Sequence, residues 1–353
     1  MAQTELSRYL GLMLEAEDAL TDRFQSLLFD IAARLTLADP ERTREAVGEQ
    51  VVNFFIGRKT NGQPDPFEVN RDGSARPLAP YPAFLFEYVG KATRLGIEKH
   101  RRIMLRGLQS APDVRDVLTL ATRNPLARAR QVQQQVTTDD LFRPRALARY
   151  DPAHRWVDPN GYRLSDRIWR ASTETRRKID FVVAQGIQEG KSAVEIANDL
   201  EAFLLPERTR VITRTPYGSK GSFDARRLAR TEITRAHAQA DEASAALNPF
   251  VTEMSVNLSA SHPQTDICDE AAAASPFPKD AIPAQYQIPL HPHCLCYYTY
   301  QQAPVQETID ALREDVQSQR RQLVDLIGPL LVLEFERLLL SGIVGETHLF
   351  ALP

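Results

Sequence analysis

The sequence predicts a mostly α-helical protein that carries one small α+β module, a short antiparallel β element closed by a Cys/His loop. Three observations point there. Apolar residues recur at spacings of three and four along most of the chain. A period of two appears in only two short runs, at 251–258 and 295–300, both rich in β-formers. Between those runs, the stretch 262–296 holds six of the chain's seven histidines and three cysteines taken together.

Taken in order, 5–37 reads as a helix because Leu20, Phe24, Leu27, Leu28, Ile31 and Leu35 fall on one stripe. Asp39-Pro40 ends it, since a residue before proline avoids the α region. A second helix is expected over 43–56. The stretch 57–82 reads as loop, dense in turn pairs such as Asn61-Gly62 and Asp72-Gly73 and in prolines. Helical spacing returns over 83–108, 114–122 and 125–136. Asp151-Pro152, Asp158-Pro159 and Asn160-Gly161 then mark the expected domain boundary. Ser165 is placed just ahead of a helix running to about 189 and stopped by Gly190, and Ser192 caps a shorter helix over 193–204. A polar loop at 206–223 leads to a long helix at 225–246, and helix resumes over 306–340. The organisation expected is a helical region at 1–155, the α+β module at 156–303 and a helical arm at 304–353.

The 353 residues suffice for two or three domains, and 43% hydrophobic with 25% charged residues is ordinary globular composition. No apolar run is long enough to span a bilayer. Glu5, Glu15, Glu17 and Asp18 argue against a secretory leader. Three cysteines, all late in the chain, do not make a disulfide framework and fit intracellular synthesis. The net charge of −3 hides an asymmetry: residues 91–149 hold 13 Lys and Arg against 5 Asp and Glu. Lys99, Arg101, Arg102, Arg106, Arg123, Arg128 and Arg130 belong to that block, which suits phosphate contacts or a solvated face paired with acidic neighbours.

Clustered soft and borderline ligands are the usual zinc signature. His291 and Cys294 flank a proline turn, Cys294 and Cys296 share one face of a starting strand, and His262 and Cys268 come from the loop after the first strand. One structural Zn²⁺ would take four of His262, Cys268, His291, His293, Cys294 and Cys296. A metal-free cluster, with Asp266 and Asp269 capping loop amides, and a disulfide from Cys268 to Cys294 or Cys296 are the alternatives.

Over 163–303 an ordered set of motifs runs through the chain: LSDRIWRASTETRRKIDFVVAQGI, GKSAVEIANDL, Ala229-Arg230-Thr231-Glu232, HPQTDICD and the closing HPHCLC. With that set the chain resembles the Mu F-like minor head proteins of tailed bacteriophages. Many members carry two cysteines where this chain has HPQTDICD. The resemblance implies a low-copy virion component near the portal, present in host cytoplasm during assembly and linked to head assembly, DNA packaging or DNA delivery. Its partners would be the portal protein and other head or scaffold proteins, with packaged double-stranded DNA as a further contact.

Other motifs point elsewhere and fail on spacing. Gly186 and Gly190 stand three residues apart before Lys191-Ser192, where a phosphate loop needs four. No histidine is followed two residues on by Glu, as zinc deaminases require, and no HExxH of the zinc proteases occurs, so a metal here would be structural and no enzyme is expected. Arg230 and Glu232 read as buried pairing that fixes their helix to the β element. The competing functions are a DNA-binding virion protein using 91–149 and a metal-dependent enzyme at the Cys/His loop.

Overall fold

The computed structural model describes residues 2–35, 39–57, 65–69, 75–109, 111, 112, 114, 164–205, 222–259, 262 and 265–327. It is mostly helical with a small antiparallel sheet. Helix α1 spans Ala2–Ala32 and buries Tyr9, Met13, Ala16, Leu20, Phe24, Leu27 and Ile31, a stripe at spacings of three and four. Asp39 caps α2 (Pro40–Phe55) by accepting from the Arg42 amide, and Pro40 occupies the first turn, where its missing N–H costs nothing.

The segment expected to be loop contains a short hairpin. Strands β1 (Phe67–Val69) and β2 (Ala75–Pro77) pair antiparallel, and Phe67 is buried. Helix α3 (Pro80–Gly107) is the longest stretch of the middle region. The expected helices at 114–122 and 125–136 and the boundary near 155 fall outside the described residues.

Helix α4 (Leu164–Gln188) begins one residue before Ser165, which therefore lies inside its first turn. Gly190 takes a φ of 70°, the left-handed conformation that glycine adopts without strain after a helix. Ser192 caps α5 (Ala193–Leu204) in a reciprocal box with Glu195. Helix α6 spans Phe223–Ala246. Three strands follow, β3 (Val251–Asn257), β4 (Phe277–Pro278) and β5 (Tyr297–Gln302), in the order β4-β3-β5 with both pairs antiparallel. The Cys/His stretch between β3 and β4 is not all loop: it holds helix α7 (Ile267–Ala274). Helix α8 is described over Val305–Ile327.

One apolar core is built by α1, α2 and α3 together with α4, α5 and α6, so residues before and after the expected boundary share it. Among the described residues, α3 packs more extensively on α6 than any other pair of helices does. At Gly96 a β-carbon would stand 2.9 Å from the His237 carbonyl oxygen, so only glycine allows that approach. A second core lies beneath the sheet, where Met254, Val256 and Tyr298 meet Ala238 and Ala245 of α6. All three cysteines are in it. Met104 and Leu108 of α3, Phe250 and Ile309 of α8 form a third, smaller cluster. No helix among the described residues is long and apolar enough to cross a membrane.

Candidate metal centre

Cys268 is presented by α7. Asp266 caps that helix by accepting from the Cys268 amide at 2.7 Å, and the Asp269 carboxylate returns to the Asp266 amide at 2.8 Å. This capping box points Cys268 inward, where it is fully buried. Asp266 and Asp269 thus cap backbone amides as the sequence allowed, but at a helix instead of a loop.

The opposite side comes from HPHCLC. The Cys294 amide donates to the His291 carbonyl at 3.2 Å, closing a turn with Pro292 second and His293 third. His293 has a φ of 65°, as the third residue of a type II turn requires. The turn sends Cys294 into the second core, with its sulfur 3.8 Å from that of Cys268. Cys296 follows at the start of β5 and is also buried.

Two sets of donor atoms lie within 4.8 Å of one another, His262 with Cys268 and Cys296, and Cys268 with His291 and Cys294. Cys268 belongs to both, so five of the six expected ligands converge. A third set of the same compactness joins His262, Asp266 and Asp269. The sixth expected ligand, His293, instead faces α6, its Nδ1 3.5 Å from Nη1 of Arg230. Burial, followed by the charges of Arg230 and Arg227, pushes the His293 imidazole down to about 3.

Each converging histidine is oriented by its other nitrogen. His291 Nδ1 lies 2.7 Å from the Pro292 carbonyl oxygen, which can only accept. His291 Nε2, buried and without a hydrogen bond among the described residues, stands 3.4 Å from an Asp266 carboxylate oxygen. His262 Nε2 lies 2.8 Å from the Asp269 carboxylate, which leaves Nδ1 as its available nitrogen. Against the cost of burial, Asp269 and Asp266 raise the His262 pKa. The three cysteines interact closely, Cys268 Sγ standing 3.8 Å from Cys294 Sγ, and hydrogen bonding among them pulls the Cys296 thiol down and pushes Cys268 up. Either of the two groups, His262 with Cys268 and Cys296 or Cys268 with His291 and Cys294, could hold a metal ion.

The Arg-Thr-Glu helix closes over this turn. The His293 amide donates to Thr231 Oγ1 at 3.2 Å. Arg230 pairs with Glu17 of α1, and Glu232, fully buried, pairs with Arg167 of α4. The motif therefore fixes α6 to other helices, and its link to the β element runs through Thr231 and Arg230 instead of Glu232. Nothing in the local sequence signals Glu17, 213 residues from Arg230.

Of the seven residues singled out from the basic block, the four that are described lie on α3 and divide. Lys99 Nζ is 3.1 Å from buried Asp241 and 4.3 Å from the Tyr300 ring centre. Arg101 pairs with Glu98 at 3.4 Å. Lys99, Arg102 and Arg106 line a cavity against β5. Arg123, Arg128 and Arg130 lie outside the described residues. Sequence reasoning missed the buried network behind Lys99, in which Asp241 Oδ1 is 3.0 Å from His100 Nε2 and Asn248 reaches the His100 carbonyl at 3.3 Å. Compared with protein-family models, curated proteins and solved structures, the chain gives no match.

Proposed function

We propose that this chain is a minor head protein of a tailed bacteriophage, a non-enzymatic virion component acting at the portal vertex, whose Cys/His loop is closed by one structural Zn²⁺. The observation that carries this reading is the convergence of its ordered motifs: the Arg-Thr-Glu helix rests on the HPHCLC turn, and that turn meets HPQTDICD through Cys268 and Cys294.

The donor set favours zinc on size. Tetrahedral zinc with Zn–S bonds of about 2.3 Å separates its sulfurs by about 3.8 Å. The Cys268 and Cys294 sulfurs stand 3.8 Å apart. Cys268, Cys294 and Cys296 with His262 or His291 would make a three-cysteine, one-histidine site, in which Asp269 or the Pro292 carbonyl orients the imidazole. Burial of all three sulfurs suits a closed structural site, whereas catalytic zinc keeps a position open to substrate. In this reading the metal staples α7 to the start of β5, and Thr231 ties the staple to α6.

Two measurements test it. Elemental analysis of the purified chain should find one zinc per molecule, lost in Cys294→Ser and in Cys268→Ser, with loss of structure on chelation. Procapsids or portal complexes purified from infected cells should carry the protein at a few copies each. Recovery only as free protein, absent from particles, overturns the virion assignment. A chain that folds fully and takes up no zinc overturns the staple.

A further inference from the structure

We propose that Cys268 and Cys294 are a modification site for peroxide: they form a disulfide that takes the place of the metal and holds α7 to the HPHCLC turn. The inference deepens the metal reading and rests on it for the zinc-bound form, while the sulfur contact itself needs no ion. The two sulfurs stand 3.8 Å apart, and all three cysteines are reduced and buried. A disulfide sets its sulfurs about 2.05 Å apart, so this pair has to close by less than about 2 Å. Each sulfur is carried on its own support. Asp266 and Asp269 fix the first turn of α7, and Thr231 holds the His293 amide in the turn that presents Cys294. These supports determine where the two sulfurs meet.

The chemistry balances with peroxide as the oxidant. One cysteine thiolate attacks a peroxide oxygen, the O–O bond breaks, and a sulfenic acid and hydroxide result. The second thiolate attacks the sulfenic sulfur, the S–O bond breaks, and a second hydroxide leaves. The two sulfurs give up two electrons, peroxide accepts them, and both hydroxides take up protons to become water. Disulfide sulfurs are no longer thiolate ligands, so the ion loses two of its three sulfurs and departs. Entry is from the histidine side, where the His291 and Asp266 side chains are 33% and 38% exposed. Peroxide is little larger than water, whereas burial of the cysteines keeps bulkier thiols out. A sulfenic acid formed here therefore meets the neighbouring cysteine first.

Cys268 is common to both cysteine-bearing donor groups, so oxidation at either one involves it. A bridge between Cys294 and Cys296 would span Leu295 alone and leave α7 unattached. The Cys268–Cys294 bridge instead joins positions 26 residues apart and encloses β4 and the short turn at Ala284–Tyr286. It makes the same link between α7 and the start of β5 that the metal makes. A virion component is synthesised under reducing conditions and then carried into an oxidising medium, and a site with two closures keeps one fold in both.

The test uses the full chain, unaltered, reduced and loaded with zinc, and treats it with hydrogen peroxide. A chromogenic indicator should register one zinc released per chain while the chain mass falls by two hydrogens. Peptide mapping should join Cys268 to Cys294, and a thiol reductant with added zinc should restore the starting form. In excess chelator the oxidised chain should keep the helical signal that the reduced chain loses. The proposal is overturned by a sulfinic acid without a bridge, by a bridge that includes Cys296 or joins two chains, or by an oxidised chain that unfolds in chelator. Zinc content measured before peroxide decides the metal reading separately: a chain that binds none and still bridges Cys268 to Cys294 overturns the zinc staple and supports the disulfide.

Discussion

His262 and His291 reach the cysteine cluster with their spare nitrogens already spoken for, by Asp269 and by the Pro292 carbonyl. Partners that orient a ligand in this way tune its affinity for metal. Asp269→Asn should therefore weaken zinc binding by about 10- to 100-fold in a chelator competition while stoichiometry at saturating metal stays at one. His293→Asn, on the other side of the turn, should leave zinc content unchanged; a loss there would put His293 among the ligands. A second residue-scale effect concerns His237. It is buried against the Tyr9 ring, and burial brings it down to about 4 in spite of Asp241. A depressed folded pKa contributes stability that is complete above the unfolded value near 6.5 and is lost as pH falls through about 4. The span corresponds to about 3 kcal/mol at most. Urea midpoints measured from pH 7 to pH 4 should fall more steeply for the natural protein than for His237→Gln, and parallel curves would remove His237 from the acid response.

Helix α7 shows how an element can be held by its ends and one buried face. It has eight residues, too few to be stable alone, and it persists because Asp266 caps it and Cys268 and Ala271 pack in the second core. Asp266→Ala should cost about 1 kcal/mol in denaturant melts. The same element marks the limit of what the sequence discloses. Helices α2 and α5 are legible from Asp39-Pro40 and from Ser192 with Glu195, because cap and apolar stripe agree. Helix α7 is not, because eight residues between prolines give no stripe long enough to register. The hairpin of β1 and β2 escapes for the same reason, its three-residue strands sitting among turn residues and prolines. The candidate metal donors were legible as a cluster by their crowding, whereas the pairing of Arg167 with Glu232 links helices α4 and α6, 65 residues apart. That pair is a second element-scale test. Glu232→Gln leaves the Arg167 guanidinium, which is only 11% exposed, without its carboxylate. Removing one partner of a buried pair costs about 3 kcal/mol or more, so the melting midpoint should drop by several degrees with zinc content intact.

At the scale of the whole molecule, the segment from α4 to β5 does not pack on its own. Its helices α4, α5 and α6 bury Ile168, Ile179, Ile196, Leu200, Ala229 and Ile233 in the same core that receives Phe24, Phe55, Tyr81 and Leu85 from α1, α2 and α3. Polar bonds cross the same divide: Tyr9 with Thr234, Tyr81 with the Ala225 carbonyl, and Arg226 with Glu17. Helix α6 therefore has helices of the first hundred residues on one side and the candidate metal module on the other, and Gly96 sets the closeness of its approach to α3. Two outcomes follow from that placement. A fragment of residues 156–353 should be unfolded or aggregated even with zinc, because α6 would expose the face that α1 and α3 cover; a well-dispersed amide spectrum from that fragment would refute the shared core. Gly96→Val in the full chain should separate α3 from α6 at His237, by a β-carbon placed 2.9 Å from its carbonyl oxygen, and lower the midpoint of the entire transition. If the metal module instead unfolded in a separate step at its natural midpoint, α6 would not be the element that couples the two halves.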